Sequence, residues 1–322
     1  MVKRIKRKFF KINYVILPES FWRQIPFFPL TFITLLIIAS TLFVSQPPLF
    51  PRNDVPFFTL SPLPQKMNST QPSFLAARSV FVFDPRSSVV LFEKNADVPL
   101  PPVSTTKMVT AMVVLENVPM LQVVEVPPFT IEPQLMKLVP GEHITAQNLL
   151  YGILVWSAND AAEVVASAFP GGREVFIKKM NQVTQGLSMK NTHFTNPTGL
   201  PEQGHLSTTH DLAKFAAFAM KNPEFATIVK TQEITVQSID GEIVHKLTNL
   251  NELLRTVPGV IGIKTGWSED SGGALVTFVE RGGNPLITVV LGSADRFGDT
   301  QKLIEWAYNT YTWDISLTHY SP

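Results

Sequence analysis

The sequence predicts an α+β domain in which strands from both ends of the chain form one antiparallel sheet covered by helices, preceded by an N-terminal transmembrane helix. β-rich runs occur near residue 80 and again after residue 260, and the region between them shows helical periodicity. Strands at both ends of a domain that enclose helices are typical of a single sheet assembled from the termini. A separate apolar stretch without charges precedes the whole region.

The globular region begins with a hairpin and a helix. Residues 77–83 and 88–93 are β-rich, and Asp84-Pro-Arg-Ser87 between them is a turn sequence, so they predict a hairpin. Pro101-Pro102 favours an extended approach, because proline cannot continue a helix backwards. Apolar residues then recur at helical spacing, which predicts that Ser104 opens a helix.

The remaining elements alternate between helical patterns and late strands. We expect helices over 145–156, 160–169 and 173–185, and another that runs from a capping box at Thr208 and Asp211 to residue 220. Strands are predicted over 260–265, 274–280 and 285–291, with Arg281-Gly-Gly-Asn284 as a hairpin turn, followed by a helix over 299–311. This scheme places Ser157 and Asn159 on a loop between two helices.

Three short motifs occur once each and in a meaningful order: Ser104-Thr-Thr-Lys107, Ser157-Ala-Asn159 and Lys264-Thr-Gly266. A hydroxyl is a poor nucleophile at neutral pH and needs a base within hydrogen-bond reach. On a helix, residue i+3 lies almost one turn further along, so the Lys107 amine can reach the Ser104 oxygen. The helix N-terminus also offers a backbone N–H and a positive dipole end to an oxyanion. Each motif alone is weak, but together they predict a serine acyl-transfer site.

The N-terminal region predicts a membrane anchor. Seven of the 27 basic side chains and one of the 26 acidic side chains lie in residues 1–23, and no charge follows until Arg52. About 20 apolar helical residues span the ~30 Å core of a bilayer. The positive-inside rule then places the basic segment in the cytoplasm. Beyond residue 23 the chain carries a small acidic excess, which gives no support to nucleic-acid binding.

We therefore divide the chain into a cytoplasmic basic segment (1–25), a single-pass transmembrane anchor (26–45), a proline-rich linker (46–73) and a catalytic domain (74–315). The linker prediction depends on seven prolines between residues 47 and 72, which favour an extended spacer. A cleaved signal peptide is the alternative, but Ala39-Ser40 is a poor cleavage site because apolar residues continue beyond it.

Cysteine and histidine content limits the chemistry. The chain contains no cysteine, which excludes thiol catalysis and cysteine-based metal sites. Six histidines are scattered without metal-ligand spacing, so we expect neither a metal nor another cofactor. His193, His205 and His210 are expected to be structural.

From about residue 77 to residue 313 the sequence resembles the serine-type D-alanyl-D-alanine carboxypeptidases, the low-molecular-mass penicillin-binding proteins of the β-lactamase-like superfamily. Besides the three motifs, the resemblance is carried by Glu93-Lys-Asn-Ala-Asp97, Asn159-Asp-Ala-Ala162, Phe194-Thr-Asn-Pro-Thr-Gly-Leu200, His205-Leu-Ser-Thr208, Asp211-Leu-Ala213 and Gly259-Val-Ile-Gly-Ile-Lys264. It implies a β-lactamase/transpeptidase-like fold, peptidoglycan stem peptides as substrates and β-lactams as covalent inhibitors. It also implies a bacterial membrane protein whose catalytic domain is extracytoplasmic.

The resemblance also implies a role for each motif residue. Ser104 would be the acylated nucleophile, Lys107 its base, and Ser157 a hydroxyl that relays a proton to the leaving amine. Asn159 would orient Lys107, and Lys264 would help to keep it neutral. The remaining residues would bind substrate. Thr265 would hold the terminal carboxylate, with Arg296 near it, and Gly266 would let the peptide lie against the strand. The backbone N–H groups of Trp267 and Ser104 would together form the oxyanion hole. Ala158 replaces the usual glycine of the second motif and is expected to be tolerated.

Alternative functions remain open at this point. The same fold could host a D,D-endopeptidase or a β-lactamase, although the Glu-x-x-x-Asn pattern expected for deacylation by a β-lactamase is absent between the second and third motifs. A non-catalytic, membrane-tethered wall-binding protein is a further alternative. The intact Ser104, Lys107 and Lys264 argue against it, because such a protein has no need of these residues.

Overall fold

The central element is a five-stranded antiparallel sheet. The computed structural model describes residues 63–313, and its strands and helices are numbered here in chain order. The sheet contains β2 (Ser79–Phe83), β3 (Val90–Lys94), β8 (Val260–Ser268), β9 (Gly272–Arg281) and β10 (Asn284–Ser293). Their order in the sheet is β3-β2-β10-β9-β8. Strand β10 pairs with both β9 and β2, so the two ends of the domain meet in one sheet, as predicted.

Helices cover both faces of this sheet. They are α1 (Lys107–Asn117), α2 (Ala146–Tyr151), α3 (Asn159–Ser167), α4 (Gly172–Gly186), α5 (Thr209–Ala219), α6 (Pro223–Val229), α7 (Leu253–Thr256) and α8 (Arg296–Thr310). All five residues of β2 are buried, because alternate side chains point into two different cores. Phe81 packs with α1 and α5 on one face, whereas Val80 packs with α8 on the other.

Most predicted elements form near their expected positions, and local chemistry explains their ends. Gly282 and Gly283 form the two-residue turn between β9 and β10 with φ values of 56° and 76°, a conformation that glycine adopts without strain. Thr208 accepts a hydrogen bond from the Asp211 backbone, which confirms the predicted start of α5. Helix α8 begins three residues earlier than predicted, because Asp295 caps it.

Four short strands in the middle of the domain were not predicted. β4 (Val123–Glu125) pairs with β5 (His143–Thr145), and β6 (Glu233–Gln237) pairs with β7 (Val244–Thr248). The first pair consists of three-residue strands separated by a long connection, so no local periodicity marks it. The second pair does alternate between buried and exposed positions along β7, a pattern that predicts a strand.

Part of the segment assigned to the linker by composition lies in the folded domain. β1 (Gln65–Lys66) pairs with β11 (Tyr311–Thr312), and the Trp306 indole donates a 3.0 Å hydrogen bond to the Thr70 carbonyl. The buried Asp299 carboxylate also accepts from the backbone amides of residues 76 and 77. The N-terminal end of the domain is therefore attached to α8.

This attachment predicts different stabilities for two truncated proteins. A protein lacking residues 1–62 keeps β1 and the Thr70–Trp306 hydrogen bond, whereas one lacking residues 1–73 loses both. Because each lost intramolecular hydrogen bond contributes about 1 kcal/mol, we expect the shorter protein to have a free energy of unfolding lower by at least roughly 2 kcal/mol. Urea denaturation of both proteins measures this difference. Equal unfolding midpoints would contradict the contribution of residues 63–73.

The predicted cytoplasmic segment and transmembrane helix lie outside the described residues, as does the linker up to residue 62. Between residues 63 and 313, no helix has both the length and the apolar character needed to cross a bilayer. In the same part of the chain, no cluster of three histidine, aspartate or glutamate side chains could hold a metal ion.

Candidate active site

Ser104 lies in a tight 3-10 turn, Val103–Thr106, that runs directly into helix α1. We call these four residues the nucleophile turn. Val103 adopts a φ of 43°, which is unfavourable for a β-branched residue and needs support from its surroundings. Val103 is itself buried and packs against strand β8, so the third motif provides that support.

The Lys107 side chain is fully buried and has three polar neighbours. Its Nζ lies 2.6 Å from the Asn159 Oδ1 atom, 2.6 Å from the Thr198 carbonyl oxygen and 3.3 Å from the Ser104 Oγ atom. A neutral amine has two N–H bonds and one lone pair. Since an amide oxygen and a carbonyl oxygen can only accept, they take the two N–H bonds and leave the lone pair for the Ser104 hydroxyl proton. This is the arrangement that a general base requires.

The surroundings also favour the neutral form of this amine. Burial lowers the pKa of Lys107 well below its usual value, and the positive charge of Lys264 lowers it further. The carboxylates of Asp160 and Glu163 act in the opposite direction with smaller effects on this pKa. The role that the resemblance implied for Lys264, keeping Lys107 neutral, thus has a physical basis in the structure.

The second motif follows a π turn, Gly152–Trp156, that continues helix α2. Ser157 adopts a left-handed φ of 65° and reverses the chain direction, after which Asn159 becomes the first residue of α3 rather than a loop residue. Ala158 has an extended backbone with a φ of −61°, which any L-amino acid can adopt, so alanine is accommodated where the family usually has glycine. Ser157 is buried.

The third motif lies on β8, the edge strand of the sheet. Lys264 is buried and donates to the Thr265 carbonyl at 2.9 Å. Burial, with a contribution from Arg296, lowers the pKa of Lys264 to about 7. The Arg296 Nε atom, at the start of α8, donates to the Thr265 Oγ1 atom at 2.8 Å. A hydroxyl and two basic groups therefore lie together, which suits the binding of a carboxylate.

Gly266 brings β8 against the nucleophile turn. A Cβ atom at this position would lie 2.5 Å from the Val103 Cγ2 atom and 2.8 Å from the Ser104 backbone nitrogen. Trp267 follows along the same strand, and its side chain is 62% exposed at the edge of the site. The absence of a side chain at Gly266 is therefore what permits the strand to approach the serine.

The loop over residues 194–200 contributes atoms to which the sequence analysis gave no role. The Asn196 Oδ1 atom accepts hydrogen bonds from Thr198 and from the Gly199 backbone, which fixes the Thr198 carbonyl toward Lys107. A Cβ atom at Gly199, where φ is +82°, would overlap the Val103 carbonyl oxygen. The motif was recognised in the sequence, but a backbone carbonyl carries no residue-type signal.

His205 is structural, as expected, and supports the nucleophile turn. Its Nδ1 atom accepts from the Thr195 backbone N–H at 3.1 Å, so its Nε2 atom carries the proton and donates to Thr106 at 2.8 Å. Burial lowers the pKa of His205 to about 4, which keeps this ring neutral. The loop and the nucleophile turn are thereby joined through one imidazole.

The nine predicted site residues thus occupy one region of the molecule. Ser104, Lys107 and Asn159 are connected by hydrogen bonds, and so are Thr265 and Arg296. Gly266 lies against Ser104, and the charge of Lys264 acts on Lys107. Ser157 and Trp267 are adjacent to these residues along the chain. A serine with a neutral amine base beside a carboxylate-binding group is suited to acyl transfer from a peptide with a free carboxyl terminus.

Comparison with known proteins agrees with this chemistry. A family model described as D-alanyl-D-alanine carboxypeptidase matches residues 65–295, which is more than half of the chain. The chain belongs to this family. Among curated members, it is 31% identical over 258 residues to the D-alanyl-D-alanine carboxypeptidase DacF of Bacillus subtilis. That alignment covers 76% of this chain and 66% of the DacF chain.

Two further relatives show the range of the D-alanyl-D-alanine carboxypeptidase family. A D-alanyl-D-alanine endopeptidase of Pseudomonas aeruginosa is 33% identical over 242 residues, covering 72% of this chain and 77% of the relative. The crystal structure of the Streptomyces K15 DD-transpeptidase superposes with a TM-score of 0.69 at 30% identity, covering 74% of this chain and all of that one. This likeness confirms the α+β, transpeptidase-like fold that the resemblance implied.

The buried Lys264 predicts a conflict between stability and function. Its pKa of about 7 lies below the ~10.4 of an unfolded lysine, so the unfolded state binds more protons between these values. The destabilisation of the folded protein by the buried Lys264 charge is therefore complete below about pH 7 and decreases as pH rises toward ~10.4.

Lys264→Met removes this penalty, so we expect it to increase the free energy of unfolding by on the order of 2 kcal/mol at about pH 6. The gain should shrink as pH rises from about 7. Acylation by penicillin should fall strongly in the same variant, because the carboxylate loses its cation. Urea denaturation at several pH values measures the stability. A destabilised Lys264→Met protein at about pH 6 would contradict the argument.

Proposed function

We propose that this chain is a penicillin-binding serine D-Ala-D-Ala carboxypeptidase that removes the terminal D-alanine from peptidoglycan stem pentapeptides. The observation that carries the proposal is the buried Lys107 amine, which faces the Ser104 hydroxyl while its two N–H bonds are taken by Asn159 and Thr198. Membership of the D-alanyl-D-alanine carboxypeptidase family supports the same substrate class.

The proposed reaction begins when Lys107 takes the Ser104 proton and the serine oxygen attacks the carbonyl carbon of the penultimate D-alanine. The backbone N–H groups of Ser104 and Trp267 stabilise the resulting oxyanion. Ser157 relays a proton to the leaving nitrogen, the C–N bond breaks, and D-alanine departs. Water then hydrolyses the ester and restores Ser104. Lys264, Thr265 and Arg296 hold the terminal carboxylate until D-alanine departs, which restricts the substrate to peptides that end with a free carboxyl group.

Carboxypeptidase and endopeptidase activities differ in their products. Incubation with a stem pentapeptide should release one equivalent of D-alanine, whereas incubation with a crosslinked dimer should leave most of the dimer intact. Mass spectrometry of both mixtures distinguishes the two reactions. Cleavage of the dimer at a higher rate than the pentapeptide would favour the endopeptidase function, and no cleavage of either would favour a wall-binding role.

The proposal includes the topology of the chain. Residues 1–25 would remain cytoplasmic, residues 26–45 would span the membrane without cleavage, and the catalytic domain would lie outside on a bacterial cell surface. The basic N-terminal segment and the uncharged stretch between Arg23 and Arg52 support this orientation. N-terminal sequencing of the membrane-extracted protein tests it. A mature terminus beyond residue 40 would instead indicate a cleaved signal peptide.

A further inference from the structure

Residues 133–138, which we call the strap, lie between β4 and β5 and hold the second motif in place. Two backbone carbonyls of the strap bind Asn159: that of Gln134 accepts from the Asn159 backbone N–H at 2.8 Å, and that of Pro133 accepts from the Asn159 side chain. The Leu135 carbonyl accepts from the Trp156 indole at 2.8 Å. The backbone amides of Met136 and Leu138 donate to the Asp160 carboxylate at 3.0 and 3.1 Å. The position of Asn159, and through it that of Lys107, depends on the strap.

The strap does not hold its own shape. Gln134 and Lys137 adopt φ values of 63° and 67°, in the left-handed region that is unfavourable for residues other than glycine. Two such residues within six positions require contacts from outside the segment to maintain the conformation.

One of these contacts comes from the β6–β7 hairpin. The His245 Nδ1 atom lies 2.9 Å from the Met136 carbonyl oxygen, and its Nε2 atom lies 2.8 Å from the Glu142 Oε1 atom. The second Glu142 oxygen accepts from the Val139 amide just beyond the strap. Both His245 and Glu142 are buried, and none of the reactions proposed above uses either of them.

The contacts of His245 and Glu142 determine how many protons these two side chains hold between them. A carbonyl oxygen only accepts, so the Nδ1 atom of His245 must carry a proton. A hydrogen bond between Nε2 and Glu142 needs a second proton, on either the ring or the carboxyl group. The pair therefore holds one proton more than a neutral imidazole and a carboxylate. If that proton is lost, the Nε2 lone pair faces a carboxylate oxygen at 2.8 Å, which is repulsive.

Several charged groups act on this pair. Lys137 on the strap and Lys246 on β7 line the same groove as His245 and oppose an additional positive charge. The Glu142 carboxylate favours that charge. The Asp160 carboxylate accepts a hydrogen bond from the Met136 backbone N–H of the strap. His143 lies next to Glu142 in sequence, but its side chain is exposed and near Glu125.

We propose that His245 and Glu142 form a proton-linked latch, and that His245 is a positioning residue for acylation. With the proton present, the latch fixes the Met136 carbonyl, the strap and thereby Asn159 and Lys107. When the proton is lost, the strap loosens and the rate of acylation at Ser104 falls, although neither residue touches the substrate. This inference rests on the acyl-transfer function proposed above.

The first test replaces His245 by glutamine, with His143→Gln as the matched control. Glutamine cannot reach both acceptors in the geometry of the ring, so we expect the acylation rate constant at saturating penicillin to fall about tenfold at about pH 6. The apparent Kd for penicillin should change much less. His143→Gln should acylate like the wild type. An unchanged rate constant in a folded His245→Gln protein would overturn the proposal.

The second test uses Glu142→Gln, because this substitution keeps a hydrogen bond to His245 and should not destabilise the fold. The amide of glutamine can donate to a neutral Nε2 atom, so this latch stays closed with one proton fewer. The ratio of the wild-type acylation rate to that of Glu142→Gln should be near one at low pH, where the wild-type pair keeps its proton, and should fall as pH rises. The titration of Lys107 is shared by both proteins and cancels in the ratio. A ratio that stays constant with pH would refute the proton-linked latch.

A third measurement is independent of enzymatic activity. In ¹⁵N-histidine NMR spectra, His245 should change its resonances with pH in the wild type, together with the backbone amide of Asn159. In Glu142→Gln, the Asn159 amide should not follow the histidine over the same range. If the wild type is not acylated by penicillin, the proposed function fails, but these spectra still decide the latch. A pH-independent Asn159 resonance in the wild type would refute the latch even if acylation is normal.

Discussion

Lys107→Arg should reduce the acylation of Ser104 by at least about a thousandfold, because it replaces a neutral amine base with a permanent cation. A guanidinium stays protonated at every accessible pH and has no lone pair to accept the serine proton. The loss of a positioned general base together with the misplacement of its hydrogen-bond partners accounts for an effect of this size. The rate of labelling by a fluorescent penicillin measures it.

The matched control is Lys190→Arg, which makes the same substitution on an exposed lysine and should label like the wild type. In Glu142→Gln, in which the proposed latch stays closed, the acylation rate should rise with pH through a midpoint below the ~10.4 of an ordinary lysine, because burial lowers the pKa of Lys107. Labelling of Lys107→Arg at a rate close to that of the wild type would exclude Lys107 as the base.

Gly266→Ala is the second substitution for which we expect a large effect. Its new methyl group would lie 2.8 Å from the Ser104 backbone nitrogen and 2.5 Å from a Val103 methyl carbon. Neither neighbour is the flexible end of a long side chain, so β8 and the nucleophile turn must separate. Because a displacement of about 1 Å in a catalytic group can reduce a rate a hundredfold, we expect acylation to fall by roughly that factor.

Gly186→Ala is the control for this substitution, since nothing lies within 4 Å of a Cβ atom at the end of α4. It should leave both labelling and unfolding unchanged. Gly266→Ala should also lower the free energy of unfolding by about 1–3 kcal/mol, as overpacked sites do. Normal labelling of Gly266→Ala would show that the approach of β8 to Ser104 is not required for acylation.

The sequence predicted the central sheet and most of the helices because their signals are local. Paired β-rich runs around Asp84-Pro and Arg281-Gly-Gly-Asn284 indicated two hairpins, and both form. The spacing of Ser104 and Lys107 indicated a base one helical turn from a hydroxyl, and the structure places the two atoms 3.3 Å apart. In both cases the interacting residues lie close together along the chain.

Contacts between distant segments could not be predicted in the same way. The Thr198 carbonyl that binds Lys107 is a backbone atom 91 residues away, and the strap contacts Asn159 through backbone atoms of Pro133 and Gln134. Main-chain groups are common to nearly all residues, so they leave no pattern in a single sequence. The packing of residues 65–73 against α8 and β11 was missed for a related reason, because proline-rich composition marks extended chain whether or not that chain packs.

The most direct test of acylation at Ser104 is the intact mass of the domain from residue 63 onward after incubation with benzylpenicillin. We predict one covalent adduct per molecule, located on the peptide that contains Ser104, and no adduct in Ser104→Ala. The matched control Ser87→Ala, in the turn between β2 and β3, should form the adduct normally. An unmodified wild-type protein, or an adduct that persists in Ser104→Ala, would contradict the assignment of this site.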